Sequence, residues 1–153
     1  MSPGEIGKEL EQKFSGIVKV AQEAPDLVVE TEKEKLVELL GFLKTAPGLA
    51  FDFILFITAV DRVDYLEVVY GLRSMQELHQ IMVKVRAPAD NPEVPSITAL
   101  WPAADFDERE TYDLFGVRFT GHPNLERILM PDDWEGHPLR KSYPVDKRPA
   151  RIY

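Results

Sequence analysis

Three strand-forming runs in close succession constrain this chain more than any other feature: Phe53 to Ala59, Tyr65 to Leu72 and His79 to Arg86. In the second, Leu66, Val68, Tyr70 and Leu72 alternate with Glu67, Val69, Gly71 and Arg73; in the third, Ile81, Val83 and Val85 alternate with Met82, Lys84 and Arg86. A period of two marks a sheet with one buried face, and such short links favour an antiparallel meander. The buried face needs a cover. Two amphipathic segments upstream supply one. Ser2-Pro3-Gly4-Glu5 reads as N-cap, N1 and N3 of a helix whose Ile6, Leu10 and Phe14 form one stripe, ended by Ser15-Gly16. Thr31 and Glu34 read as the capping box of a second, with Leu36, Val37, Leu39, Leu40 and Leu43 as its apolar face and Pro47-Gly48 as its stop. Between them, Ile17 to Ala21 and Leu27 to Glu30 flank the turn-like Glu23-Ala24-Pro25-Asp26 and predict a hairpin. The expected fold class is α+β, a two-layer sandwich of a mainly antiparallel or mixed sheet with helices on one face.

Beyond the meander, the Pro-rich stretch 87–95 reads as a loop and Ser96 to Trp101 as a single helical turn ended by Pro102. Asp105 and Glu108 are spaced as a capping box for a three-turn helix ending at Gly116. From Gly121 the texture changes: five of the twelve prolines fall in the last 33 residues, with no sustained periodicity. Leu125, Ile128, Leu129, Met130, Trp134, Leu139, Tyr143, Val145, Ile152 and Tyr153 keep this stretch too apolar for a solvated disordered tail. Residues 1–120 therefore read as a platform domain, and 121–153 as an extended C-terminal tail that docks on a partner. On that reading, removing the tail leaves a folded body.

Charge and composition narrow the chemistry. Residues 1–120 carry twelve basic and twenty-one acidic side chains, whereas 139–153 carry five basic and one acidic, within a chain of formal charge −8. That balance argues against nucleic acid and anionic lipid as partners and gives the end a sign opposite to the body. Cysteine is absent, which removes disulfides, thiolate nucleophiles and cysteine-ligated zinc or iron–sulfur sites. The longest apolar run, Phe53 to Val60, is far short of the roughly 18 residues of a membrane span. The first residues show no secretory or transit character, so the chain reads as cytoplasmic and prokaryotic.

No catalytic constellation stands out. His79, His122 and His137 are far apart and read as loop-shaping residues rather than metal ligands. Asp105, Asp107, Glu108, Glu110 and Asp113 form the strongest acidic set, and a stand-alone acid/base or Mg²⁺-dependent enzyme built on Asp107, Glu108 and Glu110 is the reading from another class. Capping, and an Arg109–Asp113 pair at helical spacing, are the simpler account. Ser74 and Ser142 lack a paired base, and no glycine-rich phosphate loop is present. Trp101, Phe106, Tyr112 and Phe115 are spaced as packing residues.

The run ERETYDLFGVRFTGHPNLERILM, from Glu108 to Met130, continues as PDDWEGHPLRKSYPV to Val145. Together with FDFILFITAVDR, YLEVVYGLRS and VPSITALWPAADFDERE upstream, it closely resembles the thirty-kilodalton, C-type subunit of respiratory complex I (NADH:quinone oxidoreductase). The resemblance spans roughly residues 17 to 145; Ser142 departs from it, since the family run after Leu-Arg-Lys usually has Asp. What it implies is a structural subunit with no catalytic residue, no cofactor and no metal of its own. Iron–sulfur clusters, FMN and quinone are expected on partner subunits. Such a subunit sits on the cytoplasmic side of the membrane, attached through the complex. It lies against the large, D-type, hydrogenase-derived subunit and near the B-type subunit, which holds the terminal iron–sulfur cluster. Equivalent subunits occur in membrane-bound, energy-converting hydrogenases and in F420H2 dehydrogenases, which remain as alternatives. Arg109, Arg118, Arg127, Arg140 and Lys141 are then candidates for fixed ion pairs, within the signature or across the subunit border, and Trp134, Leu139 and Tyr143 for tail anchors.

Overall fold

The structure, a computed structural model, describes residues 1–144. Seven strands and three helices alternate along it: α1 (Pro3–Lys13), β1 (Lys19–Gln22), β2 (Leu27–Thr31), α2 (Leu36–Thr45), β3 (Phe53–Asp61), β4 (Tyr65–Arg73), β5 (Gln80–Pro88), β6 (Glu93–Pro95), α3 (Ala104–Phe115) and β7 (Arg118–Thr120). β1 to β5 form one sheet in the order β1-β2-β5-β4-β3. The meander β3-β4-β5 and the hairpin β1-β2 are antiparallel, as predicted, and β2 joins them by a parallel pairing with β5. The sheet is therefore mixed. A parallel neighbour requires a crossover, and α2 lies in the connection between β2 and the meander.

The strand registers show how the sequence pattern makes a core. Val20, Val29, Val83, Tyr70 and Ile57 lie opposite one another across all five strands, flanked by the rows Leu27-Ile81-Leu72-Ile54 and Thr31-Val85-Val68-Ala59. Ile6, Leu10 and Phe14 of the first helical stripe and Leu36, Leu39, Leu40 and Leu43 of α2 are buried in the same cluster. The opposite face carries the cross-strand charges Lys19-Glu30-Lys84 and the pair Glu67-Arg86, alternating in sign as stable neighbours do. It is less open than the alternation predicts. Glu67 and Val69 are buried there, Glu67 beside Lys84 and Arg62, and the ring of Phe56 fills the space above Gly71.

Two of the three expected capping boxes do not form. Ser2 and Glu5 cap α1 reciprocally. Thr31, however, is the last residue of β2, paired opposite Val85, and α2 is entered through a 3₁₀ turn at Lys33–Lys35 with no side-chain cap. The strand ladder takes Thr31 because its neighbours bury against the core, which outweighs a surface cap. Val37 is exposed, on the solvent side of α2. At α3 the N-cap is Ala103, and Glu108 turns inward instead of capping. The helix ends at Gly116 in the left-handed conformation, as expected. The stretch read as a Pro-rich loop contributes β6, which pairs in parallel with β7 as a small second sheet. Residues 96–101 make a single turn, with Leu100 and Trp101 donating to the Ile97 carbonyl.

Candidate partner-binding face

Residues 121–144 contain no helix or strand, yet they are tied to the body by two carboxylates. Asp113, fully buried on α3, is the first. Its Oδ1 accepts from Arg127 Nη1 at 2.6 Å, while Oδ2 accepts from three successive backbone N–H groups: Ile128 (3.2 Å), Leu129 (2.7 Å) and Met130 (2.8 Å). Arg127 also donates to the carbonyls of Trp134 (3.0 Å) and Gly136 (2.8 Å), so one guanidinium gathers both arms of the strap. Burial alone would raise the Asp113 carboxyl, but the three N–H groups and the guanidinium outweigh it and hold it below the ordinary value.

Asp61 is the second knot, at the end of β3. Its Oδ1 accepts from Val63 N (2.8 Å) and its Oδ2 from Lys141 N (2.8 Å), with Arg140 Nε 3.5 Å away. Here too burial pushes the carboxyl up, and the two N–H groups with Arg140 and Lys141 pull it below its ordinary value. Arg140 Nη2 donates to the Ala89 carbonyl, and Leu139 N to the Leu114 carbonyl. Between the knots, Arg109 Nε and Nη2 donate to the carbonyls of Glu126 and Arg127, and His137 Nδ1 lies 2.9 Å from the Asp113 carbonyl. The His137 ring sits edge-on to Tyr112 and directly over Gly116, where a Cβ would come within 2.6 Å of it.

This geometry sets what the strap presents. Three consecutive N–H groups directed at one buried carboxylate turn the backbone inward and leave the side chains facing out. Leu129 is 59 % exposed, Ile128 is also exposed, and at the second knot Leu139 and Val63 are exposed in the same way. Val63 adopts φ +74°, a conformation costly for a β-branched residue, and the Asp61 carboxylate holds it there. Phe106, exposed on α3, stands seven residues before Asp113 and so on the same helical stripe the strap crosses. The result is an apolar row on a rigidly pinned backbone.

The predicted residues distribute as follows. Arg109, Arg127 and Arg140 bind strap to body; Arg109 does so through carbonyls, and the expected Arg109–Asp113 pair is replaced by Arg127–Asp113. Arg118 pairs with Glu93 across the small sheet, away from the strap. Lys141 contributes its N–H to Asp61 while its side chain is exposed. Trp134 and Tyr143 are half-buried, and Leu139 faces outward. Val145, Ile152 and Tyr153, together with residues 146–151, lie outside the described residues. The tail is tied to the body at both carboxylates, so removing it would take from Asp113 and Asp61 the donors that the strap supplies.

The acidic set does not converge. Glu108 is buried and accepts from Ser96 Oγ (2.7 Å) and Ile97 N (2.7 Å), with its carboxyl raised by burial against those bonds. Glu110 faces solvent, and Asp107, half-buried, is raised by desolvation and by Glu110. Among the described residues no group of three or more His, Asp or Glu side chains is placed to hold a metal ion. Of the histidines, buried His122 pairs with Asp105 (2.9 Å) and accepts from Asn124 N, a loop-shaping arrangement. No helix among the described residues is long and apolar enough to cross a membrane.

Sequence reasoning missed Asp61 and Asp113 as knots. A signal for Asp61 was available, because it shares strand parity with Ile57 and Ala59 and so places an acid on the apolar face.

Comparison with known proteins agrees with this architecture. Residues 29–149 match the family described as the respiratory-chain NADH dehydrogenase 30 Kd subunit. The C-type subunit of the NADH-quinone oxidoreductase of Roseiflexus castenholzii is 50% identical over 123 residues, covering 78% of this chain and 71% of that protein. The corresponding NADH-quinone oxidoreductase subunit of Moorella thermoacetica is 46% identical over 139 residues, covering 89% and 91%. Among solved structures, a chain of the archaeal membrane-bound sulfane sulfur reductase superposes with a TM-score of 0.78 at 29% identity over 93% of this chain and 85% of that one. The trypsin-resistant fragment of Nqo5 superposes with 0.68 at 30% identity, over 80% and 99%. The chain thus belongs to the family of the 30 Kd subunit of respiratory-chain NADH dehydrogenase.

Proposed function

We propose that this chain is a non-catalytic assembly subunit of the hydrophilic arm of an NADH:quinone oxidoreductase, peripheral on the cytoplasmic side of the membrane. It docks through the strap face on the large hydrogenase-derived subunit, near the cluster-bearing B-type subunit at the quinone-reducing end. The observation that carries the reading is the row Ile128, Leu129 and Leu139, held outward by two buried carboxylates. Exposed leucines on a mobile loop signify little, but here two buried carboxylates, each paired with an arginine, and a set of hydrogen bonds hold a backbone that turns these apolar side chains outward beside exposed charges such as Lys141. Pre-ordering of that kind lowers the entropic cost of association. Electron transfer then belongs to neighbours, with FMN, iron–sulfur clusters and quinone on other subunits, and this chain acts by holding them in register.

The hydrogenase and F420H2 dehydrogenase alternatives share this fold logic, as the likeness to a sulfane sulfur reductase chain illustrates. Identities of 44–50% to quinone-reductase subunits, against 29% there, favour the quinone-reductase reading. The test is Leu129→Asp in the native complex, purified through a tag on this chain. Leu129 is 59 % exposed and stands outside the core cluster, so the variant should fold normally and lose the large hydrogenase-derived subunit; recovery of that subunit in wild-type amounts would overturn the proposal.

A further inference from the structure

A second exposed apolar cluster lies at the other end of the sheet, on the loop joining β4 to β5. Met75 is 56 % exposed and Leu78 is 71 % exposed, with Phe53 of β3 beside them, opposite Arg73. The loop is not loose. Ser74 N donates to the His79 carbonyl, Glu77 N to Ser74 Oγ, and Met75 N to Asp52 Oδ1. Leu78 is held at φ +58°, a left-handed conformation that costs a leucine free energy, and its side chain points into no core. Beside it lies an open depression of about 280 Å³ lined in part by Pro3, Ile6, Pro25 and Asp26. A left-handed backbone holding a largely exposed leucine on an ordered loop, beside an open depression that the leucine itself helps to line, is the pattern expected where a contact is stored for a partner.

The charge around the loop identifies the partner's chemistry. Among the described residues, Asp26 lines the depression with Leu78, Asp52 accepts from Met75 N and Glu77 lies on the loop itself, while the nearby cation Arg73 is engaged with Gln80. An anionic lipid surface is disfavoured there, and a basic protein rim is favoured. β4 alone, nine residues long, separates this loop from the Asp61–Val63 turn by about 26 Å, so the strap's partner contact does not extend to it by continuity.

We propose that the β4–β5 loop is a second docking surface, seating an apolar segment flanked by Lys or Arg from a neighbouring subunit of the same complex. The chain then bridges two contacts from opposite ends of one rigid sheet. This inference rests on the assembly reading, and its test separates the two. A photo-crosslinking residue is placed at position 78, and separately at position 129, in the intact purified complex. The position-78 adduct should map to a subunit peptide with Lys or Arg beside the attachment point, distinct from the peptide captured at 129. Adducts to lipid or to a second copy of this chain, or none at 78 while 129 crosslinks, overturn the second surface alone; none at either position overturns both readings. Leu78→Asn gives an independent check, because asparagine tolerates left-handed backbone better than leucine. The full-length chain alone should melt at a higher temperature, while retention of the neighbouring subunit through a salt wash falls on the order of tenfold. A drop in both would show that Leu78 packs within its own chain and would overturn the proposal.

Discussion

Replacing Asp113 with alanine removes one side chain and four hydrogen bonds. It leaves the Arg127 guanidinium, 12 % exposed, facing a void, and the N–H groups of Ile128, Leu129 and Met130 without an acceptor. Breaking a buried ion pair from one side costs about 3–5 kcal/mol. Each charge-assisted bond is worth about 1.5–3 kcal/mol, so losing only two of the four outright gives an overlapping range of about 3–6 kcal/mol. Among the described residues the strap places little in the main core, Leu125 being its one apolar side chain packed there, so the loss should be local and not spread over the sheet. Hydrogen exchange read by mass spectrometry is the suitable assay. Amides of 126–130 and 139–141 should lose protection by two to three orders of magnitude, about 3–4 kcal/mol at 1.4 kcal/mol per decade, while β4 and β5 stay near wild type. Asp113→Asn keeps an acceptor but not the charge and should cost less, about 1–3 kcal/mol. Unchanged protection in the strap, or an equal loss in strap and sheet, would refute the reasoning that Asp113 pins an otherwise separable segment.

The pH dependence follows from the same groups. Asp61 and Asp113 are held below the unfolded carboxylate value of about 3.9, so the stability they supply is complete above that value and lost as pH falls through their lower folded values. Glu108, raised by burial, acts in the opposite sense and favours folding as it protonates. Strap protection should therefore fail in acid below about pH 4 while the core persists, and Asp113→Asn should remove most of that acid step at 127–130. Gly116→Ala places a Cβ 2.6 Å from the His137 ring at φ +78°, and should cost about 1–3 kcal/mol in thermal unfolding; a neutral result would mean that His137 does not close over the helix end. Arg140→Glu and Lys141→Glu should differ despite their adjacency. The first breaks the Asp61 pair and lowers the melting temperature of the chain itself, whereas the second, which acts on Asp61 only through its charge, lowers that temperature less and weakens assembly in a salt-dependent way. Equal melting temperatures for the two variants would contradict the assignment of Arg140 to the body.

Much of the fold could be read from alternation, because Leu66, Val68, Tyr70 and Leu72 can share only one face. The first helix was equally legible from Ser2, Pro3 and Glu5. What misled was treating local side-chain chemistry as decisive where burial competes with it. Thr31 and Glu108 both have capping spacing, yet Thr31 is taken by the β2–β5 ladder and Glu108 by Ser96 and Ile97, twelve and eleven residues away in sequence. The parallel β2–β5 and β6–β7 pairings were not readable, since neither has a local signal comparable to a hairpin turn. At the strap, the sequence identified Arg109, Arg127 and Arg140 as pairing residues but not their partners. Those partners are Asp113 and Asp61, 14 and about 80 residues distant, and backbone carbonyls that no side-chain pattern encodes.

Docking through the strap depends on the outward orientation of Ile128, Leu129 and Leu139. A structure of the intact native complex at side-chain resolution measures it directly. The expected result is that these three residues, with the Asp113 and Asp61 knots intact beneath them, are covered by the large hydrogenase-derived subunit. Finding the same three residues facing solvent in the assembled complex, or the knots opened and the strap moved elsewhere, would contradict it.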